Sequence, residues 1–262
     1  MGSNRGFEKL RFDPNLFIKT GPASAFDMFD AEAEGLRELA AAKAIRVPNV
    51  LDVGIDGNEA FIALERLDFE KSNSSTERML GEQLAALHRC TEEEFGWHRD
   101  NTIGLTPQRN TQKRDWVSFF REHRLGFQLE LAASNGISGE LQTLGRELCD
   151  ELPAFFVNYE PAASLLHGDL WAGNWGVNKG EPIIFDPAVY YGDRESDIAM
   201  TRLFGGFGKA FYEAYESAWP LARGHELRAD LYQLYHVLNH LNLFGSSYHQ
   251  QSITLLRRLL ST

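Results

Sequence analysis

Cysteine is scarce in this chain, which has only Cys90 and Cys149 among its 262 residues. Two distant thiols make neither a CxxC metal-binding spacing nor a disulfide framework, and this pattern is typical of a reducing compartment. The sequence also lacks an apolar run of transmembrane length, and residues 1–12 lack the apolar stretch of a signal peptide. We therefore expect a soluble, cytoplasmic protein with no membrane partner.

Basic residues are also in deficit. The chain has 26 Lys and Arg against 37 Asp and Glu, which gives a formal net charge of −11. An acidic chain is repelled by phosphate backbones, so we expect no nucleic-acid partner. Apolar residues are plentiful, at 43% with 12% aromatic, and they suffice for the core of one large domain or two small lobes.

The first seventy or so residues have the character of strands. Apolar segments predict strands over residues 7–12 and 15–19, and an apolar stripe at helical spacing predicts a helix over residues 25–42. Two further strands, 50–55 and 60–67, flank Asp56-Gly57-Asn58, which is a hairpin turn signal. Together these segments predict a small antiparallel sheet with one helix packed on it.

From about residue 73 the apolar spacing becomes helical. Asp115 is placed to cap one of the helices, and residues 101–113 are predicted to be a loop. The predicted helices begin near residue 76 and cover 115–131, 138–156, 209–219, 227–243 and 252–260. We therefore predict an α+β, two-lobed, protein-kinase-like fold, with an N-terminal nucleotide-binding lobe over residues 1–70 and a mainly helical catalytic lobe over 71–262.

One stretch interrupts the helices and carries several polar groups. Asp169 follows His167 in a predicted loop, Asn174 comes five positions later, and Asp186 follows a predicted hairpin. This spacing is how protein kinases place a catalytic base and two magnesium ligands. Each Asp or Asn alone more often caps a turn, but the joint spacing favours function. For His167 we expect a structural role, with the imidazole bonded to the loop backbone.

A lysine at the end of a predicted strand could anchor phosphates. Lys19 ends an apolar strand, and a strand lysine that faces a nucleotide pairs with a glutamate on the adjacent helix. Glu32 and Glu34 both lie on that helix, but they are two positions apart and point in different directions. Glu32 lies nearer the middle of the face opposite the exposed charges, so we choose it. An ordinary solvated lysine is the alternative.

Residues 62–67 connect the two predicted lobes. Backbone groups of Glu65, Arg66 and Leu67 could bond the edge of an adenine, and a plain edge strand explains the segment equally well. An acidic cluster lies further along, in which Asp193 and Glu195 could receive a cationic or polyhydroxyl substrate. Structural use of this cluster, with Asp197 capping the helix that follows, is equally consistent with the sequence.

The combination of motifs resembles the fructosamine/ketosamine-3-kinase family. The stretch His167–Asn174, with Trp171 after His-Gly-Asp-Leu, and Phe185-Asp186-Pro187-Ala188 in place of the protein-kinase Asp-Phe-Gly carry the resemblance. Both features distinguish this chain from aminoglycoside phosphotransferases and choline kinases. The resemblance covers nearly the whole chain from Phe17 onward, including Trp116–Phe120, Arg124-Leu125, Phe204–Phe207 and Tyr232–Tyr235.

This resemblance implies ATP-dependent phosphorylation of the 3-hydroxyl of ketosamines, either small molecules or glycated protein lysines. The unstable product then falls apart, which would make the activity a deglycation repair. By motif match, the implied roles are a base (Asp169), magnesium ligands (Asn174, Asp186), a phosphate anchor (Lys19, Glu32), an adenine-binding hinge (Glu65, Arg66, Leu67) and a flat face for the sugar (Trp171).

The start of the chain departs from the family pattern. Family members have a first strand and a glycine-rich phosphate loop before the lysine strand, whereas only Met1–Gly6 precedes Phe7 here. We expect this shortening to weaken nucleotide binding, because backbone N–H groups of that loop cradle phosphates. Two alternatives therefore stay open: another small-molecule phosphotransferase of the aminoglycoside or choline type, and a nucleotide-binding pseudokinase.

Overall fold

The computed structural model describes Leu10 and residues 13–261. The segment Met1–Gly6 and most of the predicted strand 7–12 lie outside the described residues. Leu10, the one described residue of that segment, is helical rather than extended, and its side chain packs against Phe61 and Ala63.

The described residues form short strands and longer helices. The strands are β1 (Leu16–Pro22), β2 (Val50–Asp56), β3 (Glu59–Glu65), β4 (Thr91–Glu92), β5 (Asn101–Ile103), β6 (Thr106–Gln108), β7 (Ala163–Leu166), β8 (Trp175–Asn178), β9 (Glu181–Ile184) and β10 (Tyr190–Gly192). The helices are α1 (Phe26–Ala41), α2 (Ser74–His88), α3 (Trp116–Phe120), α4 (Phe127–Ser134), α5 (Glu140–Glu151), α6 (Glu195–Arg202), α7 (Lys209–Ala218), α8 (His225–Phe244) and α9 (His249–Leu260).

By their contacts, the described residues separate into two compact units. The first contains the chain up to Leu87 together with Gly173–Pro187 and Phe207–Ala218, and the second contains His88–Ala172, Ala188–Gly206 and the chain from Trp219 onward. The division into residues 1–70 and 71–262 that the sequence suggests stays a prediction. Of the helices in the part of the chain that the structure describes, none combines the length and apolar character that crossing a bilayer requires.

The first unit contains an antiparallel sheet with the strand order β1-β3-β2. β2 and β3 join through a tight turn in which Gly57 has a φ of 61°, a conformation that glycine adopts without strain. β3 is the middle strand and is mostly buried, so the alternative that residues 62–67 form an edge strand is wrong. The predicted helix 25–42 is confirmed as α1, which packs against β2 and β3.

The second unit is built around a small sheet and a bundle of helices. β7 lies between β10 and β4, and all four of its residues are buried. The long helix α8 packs against α4, α6 and α9. Its side chains Tyr232 and Tyr235 are buried against aromatic residues of α3 such as Phe120. The buried strand and this aromatic core give a rigid support to the loop that follows β7.

One helix of the second unit has a widened turn. Asp115 caps α3 as predicted, because its side chain accepts a hydrogen bond from the Ser118 amide at 2.7 Å. A π-helical turn, Arg121–Gly126, then connects α3 to α4. A Cβ at Gly126 would lie 2.5 Å from the Arg121 carbonyl oxygen, so the widened turn requires glycine. The turn directs Arg124 inward, where its guanidinium carbon lies 4.0 Å from the ring centre of Tyr190.

Two of the sequence-based boundaries are wrong. The predicted loop 101–113 contains the hairpin β5–β6, whose strands of three residues each are too short to show an alternating apolar pattern. The predicted helix 138–156 ends as an α-helix at Glu151 and continues as a 3₁₀ turn, Leu152–Phe156. Pro153 explains this change, because proline has no backbone N–H for the α-helical hydrogen bond.

Gly81 marks a close approach of α2 to α7 and generates a first prediction. A Cβ at Gly81 would lie 2.4 Å from the carbonyl oxygen of Phe211. In Gly81→Ala the overlap with backbone should cost about 1–3 kcal/mol, which exceeds the roughly 1 kcal/mol gained in helix propensity. We expect the midpoint of urea unfolding to fall in Gly81→Ala, and the slope of the free energy of unfolding against urea concentration to stay unchanged. Glu82→Ala, at the exposed neighbouring position, is the control and should change stability by less than about 0.5 kcal/mol.

Candidate active site

The loop after β7 is held by a buried carboxylate. The two oxygens of Asp197 accept hydrogen bonds from the backbone N–H groups of His167, at 2.8 Å, and Gly168, at 2.9 Å. Asp197 lies inside α6, so its predicted role as the cap of that helix is wrong. Because both bonds are to main-chain groups, they fix the course of the loop directly before Asp169.

Gly168 is required by this geometry. Its φ is 83°, and a Cβ there would lie 2.0 Å from the carbonyl oxygen of Ala188. The backbone N–H of Ala188 also donates to the carbonyl oxygen of His167 at 2.8 Å. The loop therefore lies against the segment after Asp186-Pro187 with no room for a side chain at position 168, which explains the glycine in the His-Gly-Asp motif.

Histidines surround the buried carboxylate. His88 Nε2 lies 3.2 Å from Asp197 Oδ2, and both side chains are almost completely buried. Burial lowers the pKa of His88, so the ring is neutral near pH 7. Burial alone would raise the pKa of Asp197, but hydrogen bonds from His88 and Gly168 outweigh it and lower that pKa. The structural role expected for His167 is confirmed, because its Nδ1 accepts a hydrogen bond from the Asp169 amide at 3.3 Å.

Asp169 and Trp171 flank a buried anchor. Leu170 is completely buried, whereas Asp169 is half-buried and Trp171 has 38% of its surface exposed. Leu170 therefore anchors the loop to the core, and the ring of Trp171 stays partly exposed to solvent. An open aromatic face can pack against the apolar side of a sugar ring.

The lysine predicted from the sequence makes two ion pairs within the first unit. Lys19 Nζ lies 2.7 Å from Glu32 Oε1 and 2.7 Å from Asp186 Oδ1. The structure thus pairs Lys19 with Glu32, the residue chosen over Glu34. Burial alone would lower the pKa of Lys19, but the two carboxylates outweigh it and raise that pKa. Burial also raises the pKa of Glu32. Lys19 therefore stays a cation beside the only exposed member of the trio, Asp186.

Asp186 is held in an unusual backbone conformation. Its φ is 56°, in the left-handed region that few residues other than glycine adopt. The side-chain amide of Asn174 donates to the Asp186 carbonyl oxygen at 3.4 Å, and the Phe185 amide donates to the Asn174 carbonyl oxygen at 3.0 Å. The hairpin β8–β9 thus returns the chain so that Asp186 lies near Asn174, as predicted.

This donor set fits a magnesium ion. Mg²⁺ prefers hard oxygen ligands and is usually held by one or two protein groups together with substrate phosphates. Asn174 and Asp186 offer an amide oxygen and a carboxylate, and Lys19 adds a positive charge 2.7 Å from that carboxylate. The side chains of Asn174 and Asp186 are therefore of the kind that holds Mg²⁺ together with phosphate oxygens.

A cavity lies beside this trio, also within the first unit. Its volume is about 360 Å³, and it is lined by Phe17, Pro48, Leu64, Glu65, Arg66, Leu67, Phe69, Phe185 and Asp186. The predicted hinge, which consists of Glu65, Arg66 and Leu67, forms one wall, and the end of the β8–β9 hairpin forms the other. The backbone of Leu67 makes no hydrogen bond with the described residues. An apolar slot with a backbone edge of this kind is suited to a purine base.

The acidic cluster is not a substrate site. Asp193 is completely buried and accepts hydrogen bonds from the hydroxyls of Tyr159 and Tyr232 at 2.8 and 2.5 Å. Glu195 is 2% exposed and bonds Arg228 through both carboxylate oxygens, at 2.7 and 2.9 Å. The expectation that Asp193 and Glu195 receive substrate is therefore wrong, because buried partners occupy both carboxylates. Burial raises the pKa of Asp193 to about 6.

Sequence reasoning missed the role of Asp197 and the contacts of Arg46. Asp197 stands within an apolar helical run, Asp197–Met200, and a carboxylate in such a run is a signal for a buried polar contact. Arg46 bonds the side chains of Glu65 and Asn178, both at 2.5 Å. Nothing in the local sequence pattern indicates that contact, because its partners are 19 and 132 positions away.

Comparison with known proteins places the chain in a family. A sequence model of the family described as fructosamine kinase matches residues 8–262. The chain belongs to the fructosamine kinase family. A Synechocystis protein named a probable ketoamine kinase is 42% identical over 98% of this chain and 87% of its own length. The chloroplastic protein-ribulosamine 3-kinase of Arabidopsis thaliana is 41% identical over 92% of this chain and 75% of its own length.

Solved structures agree with this membership of the fructosamine kinase family. A crystal structure of a Haemophilus somnus protein, assigned by its name to the fructosamine-3-kinases, aligns with a TM-score of 0.87 at 32% identity over 94% of this chain and 83% of that chain. A thermostable aminoglycoside phosphotransferase, APH(4)-Ia, aligns with a TM-score of 0.62 at 14% identity over 94% of this chain and 86% of that chain. The second likeness concerns the fold alone. The predicted α+β, protein-kinase-like fold is confirmed.

The buried carboxylate of this fructosamine kinase family member generates a second prediction. In Asp197→Asn an amide N–H₂ must face one of the donors that Asp197 now accepts from, which leaves buried groups unpaired. We expect the free energy of unfolding at pH 7 to fall by about 2–4 kcal/mol in urea titrations. Asp150→Asn, at an exposed position, is the control and should leave it within about 0.5 kcal/mol.

The same variant has a pH signature. The folded pKa of Asp197 lies below the ordinary 3.8, so its stabilisation is present above that value and is lost as the pH falls through the folded pKa. The stability difference between wild type and Asp197→Asn should therefore shrink as the pH falls below the ordinary carboxyl value of 3.8. A stability difference that is largest in acid would contradict the lowered pKa of Asp197.

Proposed function

We propose that the protein transfers the terminal phosphate of ATP to the 3-hydroxyl of ketosamines such as fructosamines and ribulosamines. The observation that carries the proposal is the position of Lys19 Nζ, 2.7 Å from both Glu32 and Asp186, the second of which lines an apolar cavity. This trio is suited to phosphates at the end of a bound nucleotide. Membership of the fructosamine kinase family, with a protein-ribulosamine 3-kinase among its relatives, supports the acceptor.

The nucleotide would occupy the first unit. Its adenine would lie in the cavity against the backbone of Glu65, Arg66 and Leu67, and its phosphates would contact Lys19. Asn174 and Asp186 would hold the Mg²⁺ that accompanies the phosphates, and this ion supplies charge neutralisation for the transfer. Glu32 keeps the Lys19 ammonium oriented, because their two charges are only 2.7 Å apart.

Asp169 would act as the general base. Its carboxylate takes the proton of the substrate hydroxyl while that oxygen forms its bond to the terminal phosphorus, and the bond from phosphorus to the leaving oxygen of ADP breaks. The bonds from Asp197 to the His167 and Gly168 amides fix the loop on which Asp169 stands, so the base is positioned before substrate arrives. Trp171, with its partly open ring, would pack against the sugar.

The proposed biological outcome is deglycation. A ketosamine phosphorylated at the 3-hydroxyl is unstable and falls apart, which would release the amine that sugar had modified. The substrate would be either a small-molecule ketosamine or a glycated lysine of a protein. Turnover with fructosyl-lysine and with a glycated protein, measured side by side, separates these two acceptors.

The decisive assay supplies ATP, Mg²⁺ and an acceptor and measures ADP release. We expect turnover with fructosyl-lysine or ribulosyl-lysine, and none with aminoglycosides or choline. Turnover with kanamycin alone would instead identify a phosphotransferase of the aminoglycoside type. Thermal stabilisation by Mg-ATP with no turnover on any acceptor would identify a pseudokinase.

The third prediction concerns the base. Asp169→Asn keeps the shape of the side chain but removes the proton acceptor, so kcat should fall about 100-fold or more. The affinity for ATP, measured by calorimetry, should change little, because Asp169 is not a nucleotide contact in this proposal. Asp150→Asn serves as the exposed control with full activity. Asp169→Asn with near-wild-type kcat would exclude Asp169 as the base.

The fourth prediction concerns the phosphate anchor. Lys19→Met removes the cation and leaves Glu32 without its ion pair, so the KM for ATP should rise about tenfold or more. The KM for the ketosamine should change much less, because Lys19 contacts phosphates rather than the sugar in this proposal. Lys71→Met, at an exposed position of the same unit, is the matched control. Equal rises in both KM values would contradict a specific role toward the nucleotide.

A further inference from the structure

Arg46 connects two parts of the first unit that are distant in sequence. Its guanidinium Nη2 donates to Glu65 Oε1 at 2.5 Å, and Nη1 donates to Asn178 Oδ1 at 2.5 Å. Glu65 begins the hinge, and Asn178 ends β8 in the hairpin that leads to Asp186. A single side chain thus bridges the hinge and the hairpin.

The partners of Arg46 are themselves hydrogen-bonded to neighbouring residues. The second oxygen of Glu65 accepts a hydrogen bond from the Asn49 side-chain amide at 3.1 Å. Asn178 Nδ2 donates to the carbonyl oxygen of Asp68 at 2.8 Å, one residue past the hinge. The hinge is therefore held at its start through Glu65 and at its end through Asn178, with Arg46 between them.

The main chain of Arg46 adds a further link. Its carbonyl oxygen accepts a hydrogen bond from the Ile184 amide at 3.1 Å, and Arg46 forms a parallel bridge with Ile183. Ile184 stands two positions before Asp186, which pairs with Lys19. This bridge therefore fixes the backbone directly before Asp186, the proposed metal ligand.

The two structures that Arg46 joins are the two walls of the cavity. Glu65, Arg66 and Leu67 line one side, and Phe185 and Asp186 line the other, whereas Arg46 is not among the lining residues. In the proposed function an adenine contacts the first wall, and the phosphates with their ion contact the second. The separation of the walls then decides whether one nucleotide reaches both.

We propose that Arg46 is a positioning residue that fixes the distance between the adenine-binding hinge and the phosphate-binding Asp186, and so sets the affinity for ATP. The inference rests on the proposed function. Arginine suits the task because its planar fork offers separate N–H groups to two acceptors, whereas a lysine ammonium is a single point of contact. The side chains of Arg46 and Glu65 are only 25% and 22% exposed, so their ion pair lies mostly out of solvent.

The test compares ligands that contact one wall or both. The affinities for ATP, adenosine and tripolyphosphate are measured without Mg²⁺, by competition against a fluorescent ATP analogue, for wild type, Arg46→Met and Arg46→Lys. We expect Arg46→Met to lower the affinity for ATP about tenfold, because the two walls are then no longer held in place before the nucleotide binds. The affinities for adenosine and tripolyphosphate, each of which contacts a single wall, should fall by less than about twofold. Arg46→Lys should lie close to Arg46→Met.

Controls separate positioning from general loss of structure. Arg257→Met removes an exposed ion pair with Glu140 in the second unit and should leave all three affinities unchanged. Asn178→Ala removes the contact of Arg46 with the hairpin, together with the Asn178 bond to the Asp68 carbonyl, and should reproduce the selective loss of ATP affinity. This variant keeps the proposal testable if Arg46→Met does not fold. In steady-state assays the KM for ATP should rise while kcat and the ketosamine KM stay within about twofold.

The outcomes distinguish this inference from the proposed function. Wild type that binds no ATP would overturn the kinase proposal and with it the role of Arg46. Wild type that binds ATP, with Arg46→Met and Asn178→Ala binding it equally well, would overturn the role of Arg46 alone. Equal weakening of ATP and adenosine would also overturn it, because Arg46 would then shape only the hinge.

Discussion

The buried carboxylate of Asp197 is the constraint on which the loop after β7 depends. It accepts hydrogen bonds from two consecutive backbone amides and lies beside the neutral ring of His88. A charge that is 1% exposed is costly unless it is fully bonded, so this helix, strand and loop can pack together only in the arrangement that satisfies it. The orientation of Asp169 follows from a contact that Asp169 itself does not make.

The same use of buried charge recurs through the chain. Glu195 is bonded by Arg228, whose guanidinium carbon lies 3.9 Å from the ring centre of Tyr159. Arg124 lies at 0% exposure among aromatic rings. These buried polar pairs restrict the packing of the second unit to arrangements in which each group keeps its partner. An apolar core alone specifies the packing less strictly. In the first unit, Lys19 with Glu32 and Asp186 forms the corresponding group, and there one carboxylate stays exposed.

Much of the fold followed from local pattern. Helix α1, the hairpin β2–β3 and the capping role of Asp115 were predicted correctly, because each depends on residues within one turn or one strand. The pairing of Lys19 with Glu32 was also predicted, since helical geometry separates Glu32 from Glu34. The short hairpin β5–β6 was missed, because three-residue strands carry no periodic signal.

The acidic stretch shows where sequence reasoning ends. Asp193, Glu195 and Asp197 are alternate residues of equal charge, and the sequence allowed substrate binding and structural use equally. The structure buries all three and gives them different partners: tyrosine hydroxyls, an arginine and loop amides. Those partners lie up to 39 positions away, so no local spacing reports them.

The sequence by itself determined the family, the order of most elements and the residue types of a phosphate-transfer site. These features are written in spacings of a few residues, where chain geometry alone relates one side chain to the next. Only the tertiary structure decided that Asp197 anchors the loop, that Asp193 and Glu195 are internal, and that Arg46 bridges the hinge and the hairpin. Burial and pairing depend on segments that meet only after the chain has folded, and that is the physical reason for the difference.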